Sequence, residues 1–157
     1  MRHTISVLVE NKFGVLARVA GLFSARGYNI ASLAVSETQD PAISYMTIVV
    51  EAQDEKILEQ INKQLNKLID VITVTDFTKK DHVDRELVLL KISCLAKDKQ
   101  RLEDLFGKYV GKIIQIKGDT AIVEAVGDQS QIKQLLEVLS EFGIKELVRT
   151  GRLAITN

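Results

Sequence analysis

Between Glu10 and Val19 the chain reads Glu-Asn-Lys-Phe-Gly-Val-Leu-Ala-Arg-Val, and two of these residues suit the capture of a small anion. Asn11 carries an amide that bonds nearby backbone and so turns or caps the chain. Gly14 lacks a Cβ, which lets a ligand approach the main chain. If a helix starts here, the amides of Gly14, Val15 and Leu16 have no intrahelical partner. The positive end of the helix dipole then favours a carboxylate by roughly 0.3–1 kcal/mol, and by up to about 2 when partly buried. The same residues also describe an ordinary capped turn that needs no ligand. A second asparagine, Asn29, offers both donor and acceptor to a zwitterion. Val15, Leu16 and Ile30 supply aliphatic side chains for a small apolar pocket. Other reactive residue types are dispersed. His3 and His82 have no neighbouring cysteine or clustered carboxylates and read as surface or linker histidines, not metal ligands. Cys94 lies in the apolar run Leu87–Leu95 and reads as a buried small hydrophobe. There is no Gly-x-Gly-x-x-Gly, no Walker lysine and no compelling nucleophile–base pair or paired carboxylates. The reading is of a binding protein with no catalytic residues and no metal.

The elements that must position these residues follow from hydrophobic period. Ile5, Val7 and Val9 alternate with polar neighbours as in a strand. Val15, Leu16, Val19, Leu22 and Phe23 fall on one helical face, and Gly27 stops that helix. Asn29–Thr38 and Ile43–Glu51 read as strands around an Asp40-Pro41 turn. Ile57, Leu58, Ile61, Leu65 and Leu68 give a second helix with Asp54 as its cap, and Val71–Phe77 a fourth strand. After the mixed-charge run Thr78–Glu86, read as a solvated linker, the order recurs. Leu87–Leu95 is a strand. A helix carries Leu102, Leu105, Phe106 and Tyr109, with Asp98 as its cap. A hairpin turns at Gly118-Asp119, and a further helix carries Ile132, Leu135, Leu136 and Leu139. Lys145–Arg149 and Leu153–Thr156 are the last strand segments, broken at Gly151. The expected architecture is α+β, two ferredoxin-like β-α-β-β-α-β domains over 1–78 and 79–157. In that order the second strand lies at a sheet edge, where two chains can pair. Such pairing would carry Asn29 of one chain towards the Asn11–Gly14 loop of another. Ile43, Tyr45 and Val49 on one face of the third strand, and Met46, Ile48 and Val50 on the other, call for cover on both sides. A dimer supplies it; packing between the two domains of one chain is the alternative.

Composition excludes several partners. Twenty-one basic residues balance 21 acidic ones, so the formal net charge is zero and no global field favours nucleic acid or an anionic membrane. Aromatic residues make up 5% of the chain and tryptophan is absent, which leaves little for base stacking. The third strand offers only Tyr45 where an RNA-recognition sheet needs aromatics. The single cysteine allows no internal disulfide, so the chain reads as cytoplasmic. No apolar run reaches the roughly 20 residues that span a bilayer, and no secretory signal is expected.

One family resemblance joins these observations. Glu10-Asn11, Gly14–Val19, Gly21-Leu22-Phe23 and Arg26–Leu33 resemble the ACT domain of the acetohydroxyacid synthase (acetolactate synthase) small subunit. The likeness continues through Met46–Val49, Glu59–Val71 and Arg85-Glu86-Leu87, dense in the first half and looser in the second. The resemblance implies a non-catalytic regulatory subunit of branched-chain amino-acid biosynthesis. Such a subunit activates a large catalytic subunit and confers feedback inhibition, usually by valine, bound between the ACT domains of a homodimer. It implies no cofactor on this chain; thiamine diphosphate, a divalent metal and FAD are expected on the catalytic partner. By the family pattern Asn11, Gly14 and adjacent backbone on one chain, with Asn29 and Ile30 on the other, hold the effector. The alternative is a free-standing ACT sensor that controls another enzyme or a transcription factor.

Overall fold

The computed structural model describes residues 2–52, 55–78 and 80–157. The chain divides into two compact units, one running to Val83 and taking back Arg152–Asn157, the other spanning Asp84–Gly151. The terminal strand therefore belongs with the first unit, whereas sequence order alone would leave it in the second.

The first unit is built from β1 (Arg2–Glu10), α1 (Val15–Ser24), β2 (Asn29–Glu37), β3 (Ile43–Glu51), α2 (Glu55–Leu65) and β4 (Val71–Asp76). Its antiparallel sheet has the order β2-β3-β1-β4, which puts β2 and β4 at the edges. The helix-facing side is apolar because period-2 strands meet period-3.6 helices. Ile5, Val7, Val9, Met46, Ile48 and Val50 close on Val15, Val19, Leu22 and Phe23 of α1 and on Leu58, Ile61 and Leu65 of α2. Glu55 in the first turn of α2 and Lys63 in the last complement the helix dipole; the cap expected at Asp54 lies outside the described residues. His3 is buried within the sheet, with Nδ1 3.2 Å from Thr78 Oγ1, so it is not a surface histidine. The opposite side of the sheet buries Thr4, Ser6, Thr47 and Val49. Part of its cover comes from the chain itself. Tyr45 OH donates to Ala154 O at 2.8 Å, and Arg152 Nη1 donates to Thr4 Oγ1 at 2.9 Å.

The second unit repeats the plan with β5 (His82–Ser93, from Asp84 onward within this unit), α3 (Lys99–Leu105), β6 (Lys112–Lys117), β7 (Thr120–Gly127), α4 (Gln129–Leu139) and β8 (Ile144–Arg149), in the order β6-β7-β5-β8. The short β9 (Leu153–Thr156) pairs with β5. Even the irregularities recur: the edge ladders slip between Ile30 and Ser32 and between Ile113 and Gln115. Strand β5 starts at His82, so the polar run is not a linker throughout. Glu86 enters the sheet almost fully buried because Arg149 clamps its carboxylate with two bonds of 2.7 Å. His82 packs against Phe77 with ring centroids 5.0 Å apart and donates through Nδ1 to Lys80 O. Asp98 stands at the N-cap of α3 but its side chain accepts no capping bond; a short 3-10 turn, Ala96–Asp98, leads into the helix instead. The reciprocal cap is at α4, where Asp128 accepts from Gln131 N and Gln131 Oε1 accepts from Asp128 N, each at 2.9 Å.

Candidate functional site

At the far end of β1 the chain turns into α1 through Asn11–Gly14. Gly14 is the N-cap of α1 with φ +80°, a left-handed conformation that favours glycine. Asn11 does not cap the helix. Its Nδ2 donates to Pro41 O at 2.8 Å and its backbone N to Ala42 O at 2.7 Å, which ties the loop to the β2–β3 turn. That turn is itself closed by Asp40 Oδ1, which accepts from Ala42 N at 2.9 Å. Of the first-turn amides, Val15 N is already directed at Lys12 O at 3.3 Å. The Val15 side chain is in the core and cannot line a pocket, whereas Leu16 is 44% exposed and Phe13 projects fully into solvent. Ile30 is half-buried and packs against the first core.

Two residues that sequence spacing did not single out complete this end of the unit. Arg18, one turn along α1 from Gly14, donates through Nε and Nη2 to Asp70 Oδ2 at 3.0 and 2.7 Å. Its Nη1 stands 3.0 Å from the point where a Cβ on Gly14 would lie. Asp70 also accepts Glu10 N at its backbone carbonyl, 2.9 Å away. The loop is thus held from both flanks, and a guanidinium borders the gap that Gly14 leaves open. Lys12 adds an exposed cation bonded to Glu10 at 2.6 Å; this hydrogen bond, with the carboxylate's charge, raises the ammonium pKa above its ordinary value. The Arg18 signal was present as a basic residue four positions after Gly14. Asp70 lies 52 residues away, a distance that no local pattern bridges.

Asn29 is not part of this cluster within one chain. It pairs with Glu51, which in turn faces Arg2 at the start of β1, whereas Glu10 faces Ile43. The two asparagines therefore sit at opposite ends of β3, about 27 Å apart at ~3.4 Å per residue. Asn29 is exposed and its Nδ2 donates to Glu51 Oε2 at 3.3 Å; that bond, and then Arg2, hold the Glu51 carboxyl below its ordinary pKa.

No predicted site residue lines the open cleft of about 230 Å³ bordered by Glu55, Leu58, Glu59, Asp76, Thr78 and Lys80. Among the described residues no group of three or more His, Cys, Asp or Glu side chains could hold a metal. Cys94 is buried, and desolvation pushes its thiol pKa up. No described helix is long and apolar enough to cross a membrane.

Comparison with known proteins covers both units. Residues 5–73 match the family model of the AHAS small subunit-like ACT domain, and residues 85–157 match that of the small subunit of acetolactate synthase. The probable acetolactate synthase small subunit of Archaeoglobus fulgidus is 45% identical over 155 residues, covering 99% of this chain and 96% of that protein. The acetolactate synthase small subunit of Aquifex aeolicus is 44% identical over 158 residues, covering 98% of this chain and 80% of that protein. The crystal structure of the acetolactate synthase small subunit from Thermotoga maritima matches with a TM-score of 0.89 at 37% identity, covering 100% of this chain and 98% of that one.

Proposed function

The chain belongs to the acetolactate synthase small-subunit family, and on that footing we propose that it is the non-catalytic regulatory subunit of that synthase, activating a catalytic large subunit and conferring feedback inhibition by valine. The observation that carries this reading is the tandem of family matches along both units. The match over residues 85–157 weighs against a free-standing ACT sensor, which has no need of that second module. Thiamine diphosphate, a divalent metal and FAD belong, on this reading, to the catalytic partner.

The effector site lies between two copies of the first unit. Strand β2 is an edge, and antiparallel pairing of two such edges satisfies both rows of open backbone groups. In a pairing centred on β2, Asn29 of one copy meets the Glu37 end of the other. Glu37 faces Ser44, and Ser44 faces Val9 at the entry to the Asn11–Gly14 loop. The separation of the two asparagines within a chain is what this arrangement requires. The effector's carboxylate then meets the first turn of α1 at Gly14 and Leu16, while Asn29 and Ile30 of the other copy receive its ammonium and side chain. Val15 contributes through its backbone, and its side chain supports the loop from the core.

The test is reconstitution with the catalytic subunit, followed by separate titrations with valine, leucine and isoleucine. Synthase activity should rise on addition of this chain and fall again with valine. A chain that neither binds nor activates the catalytic subunit overturns the assignment. Asn29→Ala should weaken valine binding in calorimetry without loss of fold; unaltered affinity would remove Asn29 from the site.

A further inference from the structure

The last six residues return to the first unit and attach to three of its four strands. Arg152 N donates to Ser32 Oγ on β2 at 3.2 Å, its Nη1 donates to Thr4 on β1, and Ala154 O accepts Tyr45 OH on β3. Asn157 N adds a long bond to Asp81 O at 3.5 Å. The root of this segment is fixed on the other side of Gly151. Thr150 N donates to Leu87 O, Leu87 N donates to Thr150 Oγ1, and Arg149 grips Glu86. Between root and segment stands Gly151 at φ +77°, a turn that another residue would strain.

Two properties set this segment apart from an ordinary last strand. It is tied on by polar bonds and its ladder to β5, with little apolar burial: Ala154 is 5% exposed, but Leu153 and Ile155 are 48% and 64% exposed. Segments with few buried apolar contacts lie toward the low-stability end of a structure, where local opening occurs. Its attachment to the edge strand also falls at a sensitive point. Ser32 follows Ala31, the extra residue of the bulge in β2, and Ile30 and Asn29 lie immediately before it. A bulge aims the residues beside it, and on an edge strand only one side is fixed by a ladder. We propose that Arg152–Asn157 is a strap that fixes the bulged end of β2 and thereby sets how strongly a bound effector is felt by the catalytic subunit. The strap is docked when effector binding is productive and released when it is not, so that the two states differ in effector affinity as coupling requires. This inference rests on the regulatory reading given above.

Hydrogen exchange and enzyme assay together test it. Three proteins are compared: the full chain, a chain ending at Gly151, and a full chain carrying Tyr45→Phe with Arg152→Gln, which removes two strap bonds and keeps every residue of the effector site. Exchange across Asn29–Glu37 should accelerate in both altered proteins, while α2 and α4 keep their protection. In the reconstituted synthase the valine concentration for half-inhibition should rise by about five-fold or more, with activation kept within about two-fold. Unchanged exchange across β2, or an unchanged valine response, overturns the proposal. If the chain ending at Gly151 fails to fold by circular dichroism, the double variant decides alone. If the unaltered chain shows no valine response, the regulatory reading fails, and exchange by itself judges the strap: faster exchange in β2 supports it and unchanged exchange removes it.

Discussion

At Gly14 the backbone occupies φ +80° and the missing Cβ faces the Arg18 guanidinium. Gly14→Asp places a side chain in a conformation that costs an L residue roughly 1–2 kcal/mol, at the lower end for Asp. It also places a carboxylate beside Arg18, where it competes with Asp70 and repels an incoming carboxylate. Valine inhibition of the reconstituted synthase should be lost while activation is largely kept. An unchanged valine titration would remove the loop from the site. The Arg18–Asp70 pair is a separate matter of stability. Asp70 is nearly buried and Arg18 is half-exposed, so solvent screening reduces the full cost of breaking a buried pair. Arg18→Ala should destabilise the first unit by about 1–2 kcal/mol in urea titration. Asp70→Ala should add little in that background, and simple additivity of the two costs would show the pair to be uncoupled.

Helix starts illustrate how much an element's own sequence decides. Asp128 and Gln131 satisfy each other's backbone donors at α4, and Gly127 leaves the room: a Cβ there would meet Gln131 Oε1 at 2.9 Å. Asp98 occupies the corresponding position of α3 without a side-chain bond. Asp128→Ala should therefore cost the second unit about 1 kcal/mol, whereas Asp98→Ala should stay within roughly 0.5 kcal/mol; equal shifts in thermal midpoint would contradict this contrast. The Asp-x-x-Gln pattern was not among the caps expected from the sequence, whereas the hydrophobic period located the four described α-helices. The start of β5 was not legible. Its first residues are mostly polar; the ladder to β7 begins only at Glu86, which Arg149, 63 residues away, neutralises, and β9 pairs with β5 as well. Asn11 likewise offered itself as a cap, but its amide is engaged by the Pro41 carbonyl across the β2–β3 turn.

For the molecule as a whole, division at residue 78 suggests a self-contained first domain. The compact unit is different, because it includes Arg152–Asn157. A fragment ending at Thr78 loses the partners of Thr4, Ser32 and Tyr45. At roughly 1 kcal/mol for each of three hydrogen bonds, it should be about 3 kcal/mol less stable than the same unit in the full chain. Urea midpoints read on the first unit check this, and equal midpoints would show that the terminal segment contributes nothing. Any regulatory defect of such a fragment would then reflect the loss of two things at once, the second unit and the strap.

Local chemistry and periodicity by themselves determined two β-α-β-β-α-β units, their helix faces and the glycine at the start of α1. The resemblance between Glu10 and Leu33 pointed to the family that both halves of the chain then matched. Each of these is encoded within a few residues, where side-chain period, φ preference and capping act. Tertiary structure alone decided that Arg18 is held by Asp70, that His3 is buried and that the chain's end returns to the first sheet. Those facts depend on contacts across 52 to 148 residues. Such contacts are chosen by competition among all possible partners, and only the folded sheet brings the chosen ones together.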